Sequence, residues 1–517
     1  MGVSSALARA VQIAPQRCAL VFGEQSIAWA DFGERVPRVA GGLRSLGVRK
    51  GDRVAMLGLN NAHFYELFLA IPWAGGVAVP LNWRWSLGEL ADALDDCEPV
   101  VLFVDDKMVE VGRQLVAQHP GTRLAAFGAD GASTLMHYND LLQTGAAVPD
   151  AGLTGDDLYG IFYTGGTTGR SKGVMLSHRN VMSGAAVAQR EGYWREDSTY
   201  LVAAPFFHAS GTWPLFTMTA AAATAVLLPA FDAGAALTAI ARHRVTTSLL
   251  VPAMVQMLIE HPAFATTDVS SLSKVIYGAS PITAALLDRA LAAMPHAEFI
   301  QAYGMTELSP QIAVLPHRYL LSEYRKRGVH RAAGRACYGM ELKIVDDADH
   351  EVARGVVGEI IARGDSVMLG YWRRPEETAE ALRGGWMHTG DGGRMDEDGF
   401  VYVVDRMKDM IISGGENVYS VEVENALAQH PAVHSCVVLG IPHDRWVEQV
   451  HAIVILHDGV AAEVDDLIAF MRARLAGYKL PRTIEFRTEP FPLSPANKIL
   501  KRELRAPYWA GRASTLS

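Results

Sequence analysis

Cysteine is scarce in this chain of 517 residues, which contains only Cys18, Cys97, Cys337 and Cys436. The four lie far apart and form no CxxC pair, so the sequence suggests neither a disulfide framework nor a zinc knuckle. We therefore expect the protein in the reducing cytoplasm.

The chain also lacks an excess of positive charge. Its formal net charge is −9, and no long run of Lys or Arg stands out. A nucleic-acid backbone is bound mainly through such cations, so we expect no nucleic-acid partner.

Long hydrophobic runs are rare as well. The first 17 residues lack the apolar core of a secretory signal. The stretch from Leu201 to Phe231 has no Asp, Glu, Lys or Arg, but it contains Pro205, Gly211, Pro214 and Pro229. Because such residues interrupt helices, we expect a buried strand, a turn and a short core helix here, and no transmembrane segment.

What remains is the composition of a globular enzyme, with 50% hydrophobic and 20% charged residues. Short apolar runs alternate with helical patterns, which predicts an α/β fold with several sheets in a large N-terminal domain. The predicted strands and one helix are Arg53 to Leu57, Val77 to Pro80, Val100 to Val104, Thr199 to Val202, Thr224 to Leu228, Ser248 to Val251, Lys274 to Tyr277, and the helix Asn61 to Ala74.

The pattern changes after Phe400, at the charged segment DRMKDMIISGGEN. We predict an N-terminal domain of residues 1–404, a hinge at 405–409 and a small, mobile α+β domain at 410–517. Its predicted elements are a helix at Val421 to Gln429, strands at Ser435 to Leu439 and Val450 to Leu456, and a helix face formed by Val464, Leu467, Ile468, Met471 and Leu475.

One loop has the composition of a phosphate site. The segment YTGGTTGRSKGVMLSH, Tyr163 to His178, follows an apolar run and concentrates Gly, Thr, Ser and two cations. Glycines allow backbone amides to approach an anion, and hydroxyls and Lys172 add further contacts. The spacings of a Walker loop and of a GxGxxG turn are both absent. A flexible surface turn is the alternative on composition alone.

Further motifs follow in order: YGMTE at Tyr303 to Glu307, GYWRRPEET from Gly370, HTGD at His388 to Asp391, DRMKD from Asp405, GGENVYSVEVE from Gly414 and PANKILKREL from Pro495. Together with the loop they resemble the adenylate-forming superfamily, which includes acyl-CoA synthetases, aryl-CoA ligases, peptide-synthetase adenylation domains and firefly luciferase. The resemblance implies that ATP and a carboxylate give an acyl-adenylate, from which a thiol then displaces AMP.

The resemblance assigns the phosphates to the loop and to YGMTE. Thr164, Ser171 and Lys172 should contact the β and γ phosphates, and Thr306 the α phosphate. Glu307 should hold Mg²⁺, which offsets charge as pyrophosphate leaves. The remaining loop residues of this predicted ATP site are Gly165, Gly166, Thr167, Thr168 and Gly169, and Thr168 is a second candidate for the metal.

The resemblance likewise predicts an adenosine site. Tyr303 should lie against adenine, opposite Gly278, Ala279 and Ser280, with Gln301 bonded to the base. Asp391 should accept the ribose hydroxyls, helped by Arg406. Ala302 and Gly304, which flank Tyr303, complete the predicted nucleotide site.

Three assignments concern the C-terminal region. Lys498 should stabilise the charge that grows during adenylation, although Asn497 replaces the glycine that relatives usually have before it. Lys408 matches the hinge position. After rotation of the small domain, Ser413, Gly414, Gly415 and Glu416 should line a tunnel for the thiol of coenzyme A.

The acid's pocket is predicted from PFFHASGTW, in which Phe207, His208, Gly211 and Trp213 should surround the carboxylate and the acyl group. Ala302 stands where relatives often have Gly. Its methyl group and Trp213 should shorten the tunnel and favour medium-chain, branched or arylalkanoic acids.

These assignments favour an acyl-CoA synthetase with ATP, coenzyme A and a small carboxylic acid as substrates, present as a monomer or homodimer. Three alternatives stay open: an adenylating enzyme that loads a carrier protein, a luciferase-like oxygenase, and a nucleotide-binding regulator without catalysis.

Substitution of Lys498 separates the two half-reactions. Because Lys498 is expected to act on the adenylation step, Lys498→Ala should lower acid-dependent pyrophosphate release by about 100-fold or more. Thioester formation from a supplied acyl-adenylate should stay near the wild-type rate. Equal losses in both steps would contradict the role given to Lys498.

Overall fold

Two mainly parallel sheets dominate the N-terminal part of the protein. The structure is a computed structural model that describes residues 2–127, 135–164, 171–406, 410–413, 416–443, 446–472, 474–494 and 499–510. In spatial order, the strands of the first sheet are Arg335–Ala336, Ala313–Leu315, Glu298–Tyr303, Lys274–Gly278, Thr247–Leu250, Thr199–Val202, Thr224–Leu227, Cys18–Phe22 and Gln25–Ala28.

The second sheet also has a parallel centre, but it ends in an antiparallel edge. Its strands, in spatial order, are Gly370–Tyr371, Lys172–Ser177, Leu158–Thr164, Val77–Leu81, Arg53–Leu57, Val101–Val104, Arg123–Ala126 and Met136–His137. The second of these, Lys172–Ser177, is antiparallel to both of its neighbours. Parallel strands require helical crossovers, which explains the helices between them.

The helices of this part connect and cover the sheets. Their bounds are Val3–Ile13, Trp29–Ser45, Ala62–Ala74, Leu87–Cys97, Val109–Gln118, Tyr138–Thr144, His178–Arg190, Ala209–Ala221, Ala233–His243, Pro252–Glu260, Ala284–Ala293, Ser322–Lys326 and Pro375–Ala381.

Helices Ala62–Ala74 and Ala209–Ala221 are buried on nearly every side, in a core that also contains residues of both large sheets. Their sequences are apolar all round, as expected for helices inside a core. The expected strand and core helix within Leu201 to Phe231 are confirmed. Gly211 and Pro214, however, lie inside the helix and do not interrupt it. Burial of almost every side chain of this helix outweighs their unfavourable helix propensity.

One charged side chain, Glu66, lies inside the buried helix and is fully enclosed. Arg35 pairs with it through Nη2 at 2.9 Å, and the Tyr138 hydroxyl donates to it at 2.6 Å. A buried carboxylate is tolerated only with such partners. The trio therefore fixes this helix against its neighbours.

Two smaller sheets follow along the chain. The third sheet is antiparallel, with strands Met340–Val345, Gly358–Gly364, Met387–Met395 and Val401–Arg406. The fourth contains Glu416–Val418, Ile411–Ser413, Val447–Leu456, Val433–His443 and Thr483–Phe486. It packs with helices Ser420–Leu427, Val464–Arg472 and Lys501–Trp509.

These elements confirm the predicted fold class, a large α/β part with several sheets and a smaller α+β part. The predicted strands and the early helix are present, with ends displaced by a few residues at most in the N-terminal part. The predicted face of the helix at Val464 is partly wrong: Leu475 lies beyond the end of the helix, and Val464 is exposed. Asp405 and Arg406 continue the strand from Val401, and residues 407–409 of the predicted hinge lie outside the described residues. Among the described residues, no helix combines the length and apolarity needed to cross a bilayer.

A glycine in helix His178–Arg190 allows a close approach to the segment after YGMTE. A Cβ at Gly184 would lie 2.0 Å from the carbonyl oxygen of Ser309 and 3.0 Å from Trp213 Nε1. We expect Gly184→Ala to lower the free energy of unfolding by about 1–3 kcal/mol, through overpacking, as measured by urea denaturation.

Gly88, in helix Leu87–Cys97, is the matched control because a Cβ there meets nothing within 4 Å. Gly88→Ala should be neutral or stabilising by up to about 1 kcal/mol. Equal effects of the two substitutions would contradict the close contact at Gly184.

Candidate active site

The predicted phosphate loop connects the antiparallel strands Leu158–Thr164 and Lys172–Ser177. Thr164 and Lys172 are directly opposite each other, so the pairing closes the base of the loop. Residues 165–170, which include Gly165, Gly166, Thr167, Thr168 and Gly169, lie outside the described residues. Ser171 is half-buried at the start of the second strand.

The first strand of this hairpin is anchored through Tyr163. Its hydroxyl donates to Asp96 Oδ2 at 2.7 Å. Burial, with Cys97 and Asp96 nearby, raises the pKa of Tyr163 above its usual range, so the phenol keeps its proton. The hairpin is thereby fixed to helix Leu87–Cys97.

Lys172 lies between an acidic and an aromatic side chain. It forms an ion pair with Glu377, and its Nζ lies 5.0 Å from the centre of the Tyr371 ring. A lysine over an aromatic face gains a cation–π attraction. Both contacts come from the segment that begins at Gly370, so this segment holds the loop's lysine.

Tyr371 extends the same chain of contacts to the YGMTE motif. Its hydroxyl donates to Glu307 Oε1 at 3.1 Å, and the backbone N–H of Met368 donates to the carbonyl of Glu307 at 2.8 Å. Burial and the neighbouring Glu307 carboxylate raise the pKa of Tyr371, which remains a donor. Glu307 is itself only 5% exposed.

Thr306 begins the short helical turn Thr306–Leu308, directly after the strand that ends at Tyr303. Gly304 lies between them, where a Cβ would approach the Pro310 carbonyl oxygen to 2.0 Å. Only glycine allows the chain to fold back this closely. Thr306 and Glu307 are thus presented beside the end of the parallel sheet.

Adenosine is predicted to bind at the carboxyl ends of strands Lys274–Gly278 and Glu298–Tyr303. The strands are parallel neighbours, with Gly278 opposite Ala302. A Cβ at Gly278 would lie 2.1 Å from the Ala302 carbonyl oxygen. Ala279 adopts a left-handed backbone with φ of +64°, which is uncommon for a residue with a side chain. The chain therefore turns sharply through Ala279 and Ser280, at the edge where open sheets commonly bind ligands.

Two side chains predicted to contact adenosine are joined directly. The Tyr303 hydroxyl donates to Asp391 Oδ2 at 2.7 Å, although 88 residues separate them. Gln301 is also oriented, because the Tyr277 hydroxyl donates to its Oε1 at 3.3 Å. The backbone of Arg406 lies opposite Asp391 in the register of the third sheet. The side chain of Arg406 is not among the described parts of the structure.

The HTGD turn that carries Asp391 is held by Glu359. This carboxylate accepts the backbone N–H of Gly390 at 2.9 Å and lies 2.8 Å from Nδ1 of the buried His388. Gly390 itself has a φ of +69°. Glu359 therefore positions the turn, and Asp391 with it.

His208 caps helix Ala209–Ala221. Its Nδ1 accepts the backbone N–H of Ser210 at 3.2 Å and lies 2.7 Å from the Ser210 hydroxyl oxygen. Phe207 is buried beside it. Gly211 has no room for a side chain, since a Cβ would lie 2.2 Å from the Pro205 carbonyl oxygen.

A small cavity of about 30 Å³ lies next to this cap. We call it the aromatic cavity, and its wall includes Tyr193, Trp194, Ser210, Trp213, Ile276 and Gln311. Of the residues predicted for the acyl pocket, Trp213 lines the cavity. The other predicted members, Phe207, His208, Gly211 and Ala302, are not part of its wall.

Comparison with known proteins gives a consistent result along the chain. Residues 7–372 match the family model of AMP-binding enzymes, and residues 422–498 match the C-terminal domain of AMP-binding enzymes.

The chain belongs to the AMP-binding enzyme family.

Its relatives include a feruloyl-CoA synthase of an Amycolatopsis species, 39% identical over 98% of both chains. Another is ScoC of Streptomyces coeruleorubidus, a fatty acid–[acyl-carrier-protein] ligase, which is 37% identical over 92% of this chain and 90% of that relative. ATP-bound MatB from Rhodopseudomonas palustris has a similar structure, with a TM-score of 0.88 and 30% identity over 98% of this chain and 99% of MatB. The protein is an AMP-forming acid–thiol ligase that uses ATP and coenzyme A as substrates.

The family implies Mg²⁺, and the residues present fit it. Mg²⁺ is usually held by one or two carboxylates together with substrate phosphates and waters. The nearly buried carboxylate of Glu307, which accepts from the Tyr371 hydroxyl, would supply one such ligand. Among the described residues, no group of three or more His, Cys, Asp or Glu side chains forms an all-protein metal site. A metal held largely by the nucleotide is compatible with that arrangement.

Only some C-terminal members of this AMP-binding enzyme's predicted site are among the described residues. Ser413 ends strand Ile411–Ser413 and lies opposite Glu416 in the adjacent strand, which forms a hairpin. Lys408, Gly414, Gly415 and Lys498 lie outside the described residues, as does the side chain of Glu416. Their roles stay predictions.

Three residues near the site were missed by the sequence analysis. Tyr371 and Glu377 belong to GYWRRPEET, a motif that carried the resemblance without a role for either residue. Their position after Gly370 in that motif was the available signal. No sequence signal marked Glu359, because its role depends on contacts with Gly390 and His388, which are distant in the sequence.

Tyr371→Phe tests the link between the loop and Glu307. Loss of a hydrogen bond to a carboxylate costs about 1.5–3 kcal/mol. We therefore expect kcat/KM for acid-dependent pyrophosphate release to fall by about 10- to 100-fold. Tyr338→Phe is the control, since Tyr338 is 66% exposed. Unchanged kinetics for Tyr371→Phe would contradict the link.

Proposed function

We propose that this ligase activates its acid as an acyl-adenylate. A carboxylate oxygen attacks the α phosphorus of ATP, and pyrophosphate leaves. The thiolate of coenzyme A then attacks the acyl carbonyl carbon, and AMP leaves with the carboxylate oxygen that it acquired. The contacts from Lys172 through Tyr371 to Glu307 carry the proposal, because they bring the predicted phosphate residues together.

The phosphate end of the proposal rests on Lys172. Its charge is paired with Glu377. The β and γ phosphates would offer a stronger anionic partner, and Thr164 and Ser171 flank the lysine at the base of the loop. Thr168 and the loop glycines would complete the grip on pyrophosphate.

The reacting centre is assigned to Thr306, Glu307 and Lys498. Thr306 would bond to the α phosphate, and Glu307, with Thr168, would hold Mg²⁺. When bound, the metal supplies positive charge that offsets the charge growing on the phosphate oxygens. Lys498 would do the same between the carboxylate and the α phosphate, a type of contact worth about 3 kcal/mol.

The adenosine end rests on the bond between Tyr303 and Asp391. The base would lie between the Tyr303 ring and the segment Gly278 to Ser280, with Gln301 at its edge. The Asp391 carboxylate would accept the ribose hydroxyls, and Arg406 would assist. Ala302 and Gly304 form the backbone on either side of Tyr303.

The thioester step is assigned to a rotation about Lys408. This rotation would move Lys498 away from the acyl-adenylate and bring up the hairpin of Ser413, Gly414, Gly415 and Glu416. The pantetheine chain of coenzyme A would enter along this hairpin. The relatives with similar full-length sequences support both domains acting in one cycle.

For the acid, we infer a medium-chain, branched or arylalkanoic substrate. Trp213 lines a cavity of about 30 Å³, which offers little room for a long alkyl chain. His208 would border the carboxylate, and Phe207, Gly211 and Ala302 would line the acyl pocket, which the methyl group of Ala302 would shorten. The feruloyl-CoA synthase relative, named for an acyl group with an aromatic ring, supports an aryl acid.

A carrier protein is the second candidate acceptor. The relative ScoC is named as a ligase that uses an acyl carrier protein, and the chain is similar to it over most of its length. The assay that decides between the acceptors compares coenzyme A with a phosphopantetheinylated carrier protein. We expect coenzyme A to give the higher kcat/KM. The cytoplasmic location and the monomeric or homodimeric state stay predictions.

An acid panel tests the proposed activity. Medium-chain, branched and arylalkanoic acids should release pyrophosphate from ATP, and coenzyme A should be needed for continuous AMP release because the adenylate otherwise stays bound. Palmitate should be at least tenfold poorer in kcat/KM, since the pocket is short. Comparable turnover of palmitate would contradict the proposed acid class, and absence of acid-dependent AMP release with every acid would contradict the activity.

A further inference from the structure

The wall of the aromatic cavity contains an unusual number of hydrogen-bond donors without partners. Within the described part of the chain, the Tyr193 hydroxyl, Trp194 Nε1, Trp213 Nε1 and Gln311 Nε2 are buried and accept or donate no hydrogen bond. Their residues are 1%, 6%, 4% and 7% exposed. They account for four of the nine such side-chain atoms in the described residues, and all four residues line this one cavity.

An unpaired donor inside a protein is costly, because the hydrogen bond that it loses from water is not replaced. Native proteins therefore pair nearly all of them, and the exceptions require an explanation. The indoles of Trp73 and Trp372 follow the rule, since they donate to the carbonyl oxygens of Val148 and Asp96. The hydroxyl of the neighbouring Tyr200 also has a partner, because it accepts the backbone N–H of Leu249.

The four groups share one chemical property, which is that each can donate a hydrogen bond. An indole N–H can only donate. Burial raises the pKa of Tyr193 well above its ordinary value, so its phenol keeps the proton. The rest of the wall includes the apolar side chains of Ala188, Leu249 and Ile276 and the hydroxyls of Ser210 and Thr217, which already contact His208 Nδ1 and the Trp213 carbonyl oxygen. No hydrogen bond among the described residues pairs any of the four donors.

The cavity also adjoins the predicted reaction centre. Gln311 follows Pro310, whose carbonyl packs against Gly304 of YGMTE. Ser210, on the other side, contacts His208. An acid that bound with its carboxylate near Thr306 would therefore have its remote end in or near this cavity.

Trp213 is held in place from two sides. Its ring lies 5.2 Å from that of Phe162, and its Nε1 packs beside Gly184, where an added Cβ would approach it to 3.0 Å. A rigid donor of this kind suits recognition of a fixed acceptor better than adaptation to a flexible chain.

We propose that the acid carries a hydrogen-bond-accepting oxygen at the end remote from its carboxylate, and that this oxygen binds the donors of the aromatic cavity. A carbonyl, ether or phenol oxygen has the required chemistry. This inference rests on the proposed acyl-CoA ligase function and narrows its substrate class to oxygenated acids. The cavity's volume of about 30 Å³ matches a small terminal group, not a long chain.

Matched acids test the proposal on the unaltered enzyme. The pairs are heptanoate with 6-oxoheptanoate, and cinnamate with 4-methoxycinnamate, each differing in one remote oxygen-containing group. A site that bonds a polar group discriminates strongly against an analogue without it. We expect kcat/KM for pyrophosphate release to be at least tenfold higher for the oxygenated acid in one or both pairs.

Variants then locate the discrimination. Trp213→Phe and Gln311→Met each remove a donor while keeping most of the volume, so each should lower the oxygenated-to-plain ratio by threefold or more. Trp29→Phe is the matched control, since Trp29 Nε1 is also buried without a partner but does not line the cavity. The ratio of kcat/KM for the oxygenated acid to that for the plain acid should be the same in Trp29→Phe as in the wild type.

The outcomes separate the inference from the function on which it rests. Pyrophosphate release with all four acids at equal efficiency within each pair would overturn the inference, assign the donors to buried water and leave the ligase activity intact. No release with any carboxylic acid would overturn the proposed function and the inference with it. A ratio that falls equally in Trp29→Phe would also contradict the role of the cavity.

Discussion

The pairing of the two-residue strand Gly370–Tyr371 with Lys172–Ser177 is the constraint on which the candidate site depends. Tyr371 lies opposite Val174, and the next residue's N–H donates to the carbonyl of Gly173 at 2.7 Å. This register places the Tyr371 ring beside Lys172 and its hydroxyl on Glu307. A slip by one residue would turn the side chain to the other face of the sheet and separate all three.

A second constraint comes from the parallel sheet that supplies the other half of the site. Strands Lys274–Gly278 and Glu298–Tyr303 end side by side, and close backbone packing at Gly278 and Gly304 excludes side chains there. The left-handed turn at Ala279 and the Tyr303–Asp391 bond then bring the third sheet against the first. Strained or glycine-dependent backbone is common where a protein must shape a ligand site.

Much of the fold was predictable because its signals are local. Runs such as Arg53 to Leu57 and Lys274 to Tyr277 are apolar on both faces, as strands of a covered parallel sheet must be. Pro214 was misjudged because burial of the surrounding helix, a property of the whole fold, outweighs a local preference. Val464 and Leu475 were misjudged because helical spacing alone does not show where a helix ends or which side meets the core.

The candidate site was predictable where motifs mark it and not where distant contacts do. Thr306, Glu307, Tyr303 and Asp391 were found through YGMTE and HTGD, and the structure brings the last two into direct contact. Glu359 is essential to the geometry of the HTGD turn, yet nothing beside it in sequence indicates this. The donors of the aromatic cavity come from three separate segments of the chain. The sequence could not show that they line one cavity without hydrogen-bond partners, because both properties arise only on folding.

Oxygen transfer from the acid to AMP tests the acyl-adenylate most directly. The enzyme would be incubated with ATP, coenzyme A and an acid whose carboxylate carries ¹⁸O, and the products analysed by mass spectrometry. Attack of the carboxylate on the α phosphorus predicts one ¹⁸O in AMP and none in pyrophosphate. Unlabelled AMP, or ¹⁸O in inorganic phosphate, would contradict an acyl-adenylate.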